Sequence, residues 1–290
     1  MTERHGLTGL RTHFPLPGAE EGRSLPAPLW IVGPDVIEDA GFTLEVAHTV
    51  AAVAKKRGLS LIFKASYEKA NRSRADSFRG PGIDVGLEVL ARVKEETGLP
   101  VTTDVHTEEQ AERAAACVDV LQIPAFLCRQ NALLEAAAGS GAVVNLKKGQ
   151  FLAPSDIPQR VEVLRRAGAA DVWITERGAS FGYQRLVNDL RVLPEIQRTG
   201  AASIFDATHS VQTPGGGIGG SSGGERPMIP VLARAAVAAG FDGVFFEVHP
   251  EPERALCDGP NALPLDRLEP LLDQLEPIAK LVREIPDLDL

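Results

Sequence analysis

Eight times along the chain a short apolar run ends in a charged or hydrogen-bonding residue: LWIVG at 29–33, SLIFKAS at 60–66, PVTTDVH at 100–106, VLQIPA at 120–125, AVVNLKK at 142–148, DVWITER at 171–177, ASIFDATH at 202–209 and GVFFEVH at 243–249. Runs this short, rich in Val, Ile and Phe and without strict polar alternation, read as strands covered on both faces, the mark of parallel pairing. A helix-period stretch follows each one, over 39–57, 83–97, 107–116, 129–139, 155–167, 187–198, 227–240 and 266–284. Gly58, Gly98, Gly168 and Gly240 stand where a helix C-cap takes a left-handed residue. Eight strand–helix units in 290 residues predict an α/β fold of one kind, a single (β/α)8 TIM barrel over residues 29–290 with an N-terminal extension. Residues 1–28, with several prolines and glycines and little periodicity, read as an arm or a barrel-bottom plug. In such a barrel the functional groups gather at the carboxyl ends of the strands, where these polar residues lie.

Composition narrows the partners. With 44% hydrophobic residues and no run near the ~18 apolar residues of a membrane span, no membrane association is expected. A formal charge of −9, with no Lys/Arg block, argues against nucleic acid and anionic lipid. The N-terminal stretch lacks the apolar segment of a signal peptide, so a cytoplasmic location is the expectation. Cys117, Cys128 and Cys257 form no C-x-x-C pair and read as reduced thiols. Gly215, Gly217 and Gly220 spell G-x-G-x-x-G, but no helix opens on the third glycine and no acidic residue stands ~20 positions on. The 210–226 loop reads instead as a mobile lid, and no organic cofactor is expected.

Lys64, Lys147 and Arg177 end the second, fifth and sixth strands, and Lys69 follows in the loop after the second. One lysine at a strand end is commonly a solvated rim charge, but four converging cations would repel unless a multiply charged anion neutralises them. Asn71, Arg72 and Ser73 extend the same loop and offer donors for a second phosphate, with Arg129 a further candidate. Gln122 and the backbone of Pro124–Ala125 stand between the two sites. Two facing anion sites point to condensation of two phosphorylated small molecules. His209, Glu247 and Asp258 end the seventh strand, end the eighth and follow in the next loop, so they could surround a divalent ion or form a structural salt-bridge cluster. His249 reads as a loop-orienting residue, and Cys257 as a packed thiol rather than a ligand.

FKASYEKANRS (63–73), SFRGPG (77–82), TTDVH (102–106), QIPAFLCRQ (122–130), KKGQF (147–151), TERGASFGY (175–183), DATHSVQ (206–212) and HPEPERALCDGPNALPL (249–265) together resemble the 3-deoxy-D-manno-octulosonate 8-phosphate synthase family over about residues 29–275. The resemblance implies condensation of phosphoenolpyruvate with D-arabinose 5-phosphate and water, giving the eight-carbon sugar-acid phosphate and phosphate, for lipopolysaccharide inner-core biosynthesis. It implies that Lys64, Lys69, Lys147 and Arg177, with Gln122 and Ala125, bind phosphoenolpyruvate. Asn71, Arg72 and Ser73 would hold the aldose phosphate, with Arg129 reaching it from a neighbouring subunit of a homotetramer. Asp104 would lie near the sugar hydroxyls, and His209, Asp104 and Lys147 are the expected catalytic groups.

Two departures stand out. Metal-dependent members of that family carry Cys, and metal-independent ones Asn, where GPDVIED (33–39) places Asp35. KKGQF, TERG and HSVQ resemble the metal-dependent branch, and CDGP (257–260) the other. Asp35, His209, Glu247 and Asp258 would make a hard donor set suited to Mn, Fe or Mg more than Zn, and without an ion three carboxylates would repel. A divalent metal is therefore expected. Arg74 replaces a usual Ser, with no role legible. The nearest rival is 3-deoxy-D-arabino-heptulosonate 7-phosphate synthase, which carries K-P-R-T-S where this chain has Lys69-Ala70-Asn71-Arg72-Ser73. A non-catalytic sugar-phosphate sensor is the other alternative.

Overall fold

The eight apolar runs form eight parallel strands that hydrogen-bond in chain order until the last returns to the first. They are β1 (Leu29–Gly33), β2 (Leu61–Lys64), β3 (Val101–Asp104), β4 (Val120–Ile123), β5 (Val143–Lys147), β6 (Asp171–Glu176), β7 (Ala202–Asp206) and β8 (Gly243–His249). Closure runs through β1 and β8, from Leu29 against Gly243 to Gly33 against Glu247. This computed structural model describes residues 28–71, 77–216 and 223–286. The expected arm at 1–28 therefore lies outside the described residues except for its last position, as does the middle of the 210–226 loop, including Gly217 and Gly220 of the glycine motif.

The helices are α1 (Ala40–Arg57), α2 (Ile83–Thr97), α3 (Glu108–Ala115), α4 (Asn131–Gly139), α5 (Ile157–Arg166), α6 (Val192–Thr199), α7 (Ile229–Ala239) and α8 (Leu268–Glu284). Their ends follow local chemistry. The Asp39 side chain accepts from the backbone N–H of Phe42 at 2.8 Å and opens α1, and Gly58 closes it in the left-handed region. Helix α6 starts five residues later than its periodicity predicts, because Leu186–Val187 pairs antiparallel with Ala179–Ser180 and is drawn into a hairpin. No helix among the described residues is long and apolar enough to cross a membrane.

The alternation of strand side chains divides the core in two. Trp30, Val32, Phe63, Leu121, Ile123, Val144, Leu146, Val172, Ile174 and Val244 face the helices and join the large outer cluster. Leu29, Ile31, Ile62, Val120, Val143, Trp173, Ile204 and Phe245 face inward and form a separate apolar layer. Gly33 continues that inward row, and a Cβ there would meet the Lys64 carbonyl oxygen at 1.9 Å. Only glycine lets β1 and β2 approach so closely at the mouth.

Candidate active site

Two residues beyond the apolar layer, the same inward rows turn polar. Ile62 is followed by Lys64, Val120 by Gln122, Ile204 by Asp206 and Phe245 by Glu247, while Val143 leads through Asn145 to Lys147 and Trp173 through Thr175 to Arg177. Because side chains alternate with period two, each strand fixes its polar group over its own apolar plug. Asp104 ends β3 in the same mouth. All of these polar side chains are buried. The structure thus brings Lys64, Lys147 and Arg177 together as expected from the strand ends.

The expectation that these cations lack counter-ions is corrected. Lys64 Nζ lies 2.7 Å from Glu247 Oε1 and also donates to the Asp35 carbonyl at 2.8 Å. Lys69 pairs with the Asp35 carboxylate, and Lys147 Nζ lies 2.5 Å from Asp206 Oδ2. Arg177 donates through Nη2 to Gln212 Oε1 at 2.7 Å, while its buried Nη1 has no hydrogen-bond partner among the described residues. A lysine buried in hydrocarbon would shed its proton, so nearby carboxylates keep the layer charged before any ligand arrives. Burial, helped by the nearby Lys64 charge, brings Lys147 down to about 8 against the pull of Asp206 and Glu247. For Lys69 burial works in the same direction, but Asp35 and Asp104 overrule it and raise the ammonium well above its ordinary value.

Asp206 is the functional residue the motif reading missed. One of its oxygens accepts from both Lys147 Nζ and His209 Nδ1, the latter at 2.8 Å. The other accepts from the backbone N–H groups of Thr208 and His209. Burial would raise this carboxyl, yet His209 and Lys147 hold it far below the usual range. The Asp206 carboxylate on Nδ1 orients the ring so that His209 Nε2 points among the acids, 3.6 Å from Glu247 Oε2. The parity of β7 could have revealed Asp206, since it follows the inward Ile204 by two.

The acidic residues gather in two overlapping groups, one of them around that nitrogen. Asp35, His209 and Glu247 place one ligand atom each within 4.8 Å of one another, and so do Asp35, Cys257 and Asp258. The four residues expected as one metal set therefore meet as two triads sharing Asp35, and Cys257, read as a packed thiol, is both buried and at ligand reach in the second. Burial and the adjacent Asp35 raise the Glu247 carboxyl. Burial also works to raise Asp35, but Lys69 and Lys64 outweigh it and keep that group ionised. An imidazole nitrogen beside ionised and crowded carboxylates is a donor set that fits a hard divalent cation.

On the β3 side, Asp104 Oδ2 stands 3.2 Å from His106 Nε2, and its Oδ1 has no hydrogen-bond partner among the described residues. Burial opposes the charged form of His106, but Asp104 and Gln110 raise it above its ordinary range. Gln122 Oε1 is likewise buried without a partner, and Ala125 opens a short 3-10 turn after β4. Asn71 is exposed on the loop after β2, and Arg129 is exposed just before α4. Arg72 and Ser73 lie outside the described residues. His249 accepts the Glu251 N–H through Nδ1 at 3.0 Å and packs its ring on Phe42, as expected of a loop-orienting residue.

Comparison with known sequences places this geometry. The pattern of the DAHP synthetase I family matches residues 21–284. The protein named 2-dehydro-3-deoxyphosphooctonate aldolase in Nitratidesulfovibrio vulgaris is 57% identical over 261 residues, 90% of this chain and 95% of that protein. Proteins of the same name in Desulfosudis oleivorans and Geobacter metallireducens are 56% and 55% identical, over 89% and 90% of this chain and 93% and 96% of theirs. The barrel, its charged mouth and these relatives agree, and the chain belongs to the DAHP synthetase I family.

Proposed function

We propose that the protein condenses phosphoenolpyruvate with D-arabinose 5-phosphate and water, giving 3-deoxy-D-manno-octulosonate 8-phosphate and phosphate. The observation that carries this reading is the buried Arg177 guanidinium, one nitrogen without a hydrogen-bond partner among the described residues, in the same mouth as Lys64 and Lys147. A planar donor fork beside two ammonium groups suits a phosphate and carboxylate on one small molecule. Lys64, Lys69, Lys147 and Arg177 bind phosphoenolpyruvate, with Gln122 and the Ala125 backbone against it. Asn71, Arg72, Ser73 and Arg129 take the aldose phosphate, and the open Oδ1 of Asp104 faces the sugar hydroxyls.

In the reaction, C3 of phosphoenolpyruvate attacks the aldehyde carbon, water adds at C2, and the hemiketal phosphate collapses with cleavage of the C–O bond. The chain's own residues orient the two substrates and stabilise the alkoxide formed from the aldehyde. Asp104 handles the proton transfers, His209 taking part only in protein that carries no cation, and Lys147 holds the phosphoenolpyruvate charge in register above the Phe245 ring, 3.2 Å from its centroid.

Charge favours a divalent cation. Lys64, Lys69, Lys147 and Arg177 share the mouth with Asp35, Asp104, Asp206, Glu247 and Asp258, so the protein's own charges leave little attraction for a ligand of roughly −3. Asp35, His209, Glu247 and Asp258 would hold the cation, with Mn, Fe or Mg suiting these donors better than Zn. When bound, it supplies a Lewis acid and the missing positive charge. Metal analysis and an EDTA assay test this: chelation abolishes activity and Mn²⁺ restores it, whereas full activity in metal-free protein rejects the cation.

A homotetramer in the cytoplasm, serving lipopolysaccharide synthesis, completes the reading. Assembly of subunits is supported by exposed Arg129 and the exposed aromatics Phe126, Phe151, Phe181 and Tyr183 on the loops after β4, β5 and β6, the composition of a buried interface. Light scattering after gel filtration checks the subunit count. Phosphate release with phosphoenolpyruvate plus arabinose 5-phosphate tests the reaction itself. Release with erythrose 4-phosphate instead supports the seven-carbon synthase, and binding without release supports a sensor.

A further inference from the structure

The proposed ligands of the cation and of phosphoenolpyruvate already hold one another. Lys69 lies on the Asp35 carboxylate, Lys64 Nζ lies 2.7 Å from Glu247 Oε1 and 3.6 Å from Asp35 Oδ1, and the four side chains are 12%, 6%, 1% and 1% exposed for Lys69, Asp35, Lys64 and Glu247. Asp35 and Glu247 also belong to the triad with His209 that fits a divalent cation. In so dry a site a carboxylate cannot serve an ammonium and a divalent cation without bringing like charges together.

We propose that Asp35 is a shared counter-ion that makes phosphoenolpyruvate and the divalent cation bind with positive cooperativity. Asp35 restrains Lys69 while Glu247 restrains Lys64. A cation on the carboxylates releases both ammonium groups toward the substrate anion. The substrate anion, by drawing the ammonium groups away, releases the carboxylates toward the cation. Because binding linkage is reciprocal, each ligand must tighten the other by the same factor. The inference rests on the phosphoenolpyruvate and cation assignments above, and adds a coupling between them that follows from the Lys69–Asp35 pair.

The test uses binding, not turnover. Mn²⁺ affinity is measured by electron paramagnetic resonance of the free ion with and without phosphoenolpyruvate. Phosphoenolpyruvate affinity is measured by calorimetry in EDTA and in Mn²⁺, with no aldose present. Each ligand is expected to strengthen the other about tenfold. Asp35→Asn keeps the side-chain volume and removes the competing charge. In EDTA this variant should bind phosphoenolpyruvate about tenfold more tightly than the wild type, since Lys69 is no longer held, and Mn²⁺ should add little. A carboxylate with only a structural role would make the variant's binding weaker.

Wild-type affinities that do not depend on the second ligand overturn the coupling alone. So does an Asp35→Asn variant, folded by circular dichroism, that binds phosphoenolpyruvate more weakly in EDTA. If the variant does not fold, the wild-type linkage decides by itself. Absence of Mn²⁺ binding overturns the cation site and the coupling but leaves the substrate reading. Absence of phosphoenolpyruvate binding under both conditions overturns that reading together with the coupling.

Discussion

The barrel interior contains two layers made by the same strands and equally hidden from water, one of hydrocarbon and one of ions. The lower layer, from Leu29 and Ile62 to Trp173 and Phe245, carries no charge and gains from leaving water. In the upper layer, Lys64, Lys147, Asp206 and Glu247 are buried as completely, yet every charge there costs desolvation that its partner only offsets. Burial therefore does not tell the two apart; the partners do. A buried ionic layer is weak support for a fold and strong support for a ligand, so the two layers should respond to substitution in opposite observables.

The largest effect belongs to the lower layer. Trp173 is fully buried, and its indole N–H donates to Asp171 Oδ2 at 3.0 Å. Trp173→Ala should lose ~3–5 kcal/mol in urea unfolding, since the ring leaves a cavity the barrel cannot close. Phosphoenolpyruvate affinity of the folded fraction should stay within a few-fold of wild type. A large loss of affinity with unchanged stability would merge the layers and undo the comparison.

Asp206→Asn makes the converse test in the upper layer. The amide keeps the shape but carries no charge to hold His209 Nδ1 or to balance Lys147. kcat should fall roughly 10²–10³-fold, the scale of lost proton-transfer or electrostatic assistance. Circular dichroism checks that the variant is folded, because Lys147 is left buried without its carboxylate partner. Retained kcat would make Asp206 a structural clasp.

How far the chain could be read before folding follows from the same two layers. The strand order and the places of Lys64, Lys147 and Arg177 follow from short apolar runs that end in polar residues, a signal carried within each strand. Who pairs with whom is not local. Lys64 meets Glu247 across 183 positions, and Lys147 meets Asp206 across 59, so the cations looked unbalanced until the barrel closed. DATH offers two candidate polar residues, and its last, His209, carries the more conspicuous chemistry, whereas parity from Ile204 marks the Asp206 carboxylate as the inward one. The late start of α6 had no local signal, since Leu186–Val187 finds its partner, Ala179–Ser180, only after the chain reverses.

Asp242 is the exception that sharpens the contrast, an acid at the foot of the barrel. It precedes β8, is fully buried, and its Oδ2 accepts from the backbone N–H and hydroxyl of Ser203 at 2.8 and 2.7 Å. Its Oδ1 has no hydrogen-bond partner among the described residues. Burial raises the carboxyl to about 7, with Asp171 contributing. The folded state thus holds this proton more tightly than the unfolded chain, and stability falls as pH rises from about 4 to about 7, then levels. Asp242→Asn keeps an acceptor for Ser203 and cannot ionise. The difference between variant and wild type should grow in the variant's favour across that window to ~2 kcal/mol, less than the full displacement implies because water reaches an ionised buried group. Urea midpoints at pH 4.5 and 7.5 measure it, and a difference that does not change with pH counts against a buried neutral acid.

The smallest predicted effect lies where the layers touch. Phe245 belongs to the apolar cluster, yet Lys147 Nζ sits 3.2 Å from its ring centroid and the His209 ring packs 6.0 Å away. A ring face stabilises an ammonium by about 1 kcal/mol, so Phe245 helps Lys147 remain charged where burial has already brought it down to about 8. Lys147 is cationic below that value, and free enzyme that has lost the charge binds an anion poorly. kcat/KM should therefore decline as pH rises through about 8. Phe245→Leu keeps the plug apolar at a stability cost below ~1.5 kcal/mol but removes the ring. The alkaline limb should then move to lower pH by somewhat under one unit, since 1.36 kcal/mol corresponds to one unit. An unchanged limb, with the variant folded, would mean that the ionic layer owes its charge state to carboxylates alone and takes nothing from the hydrocarbon beneath it.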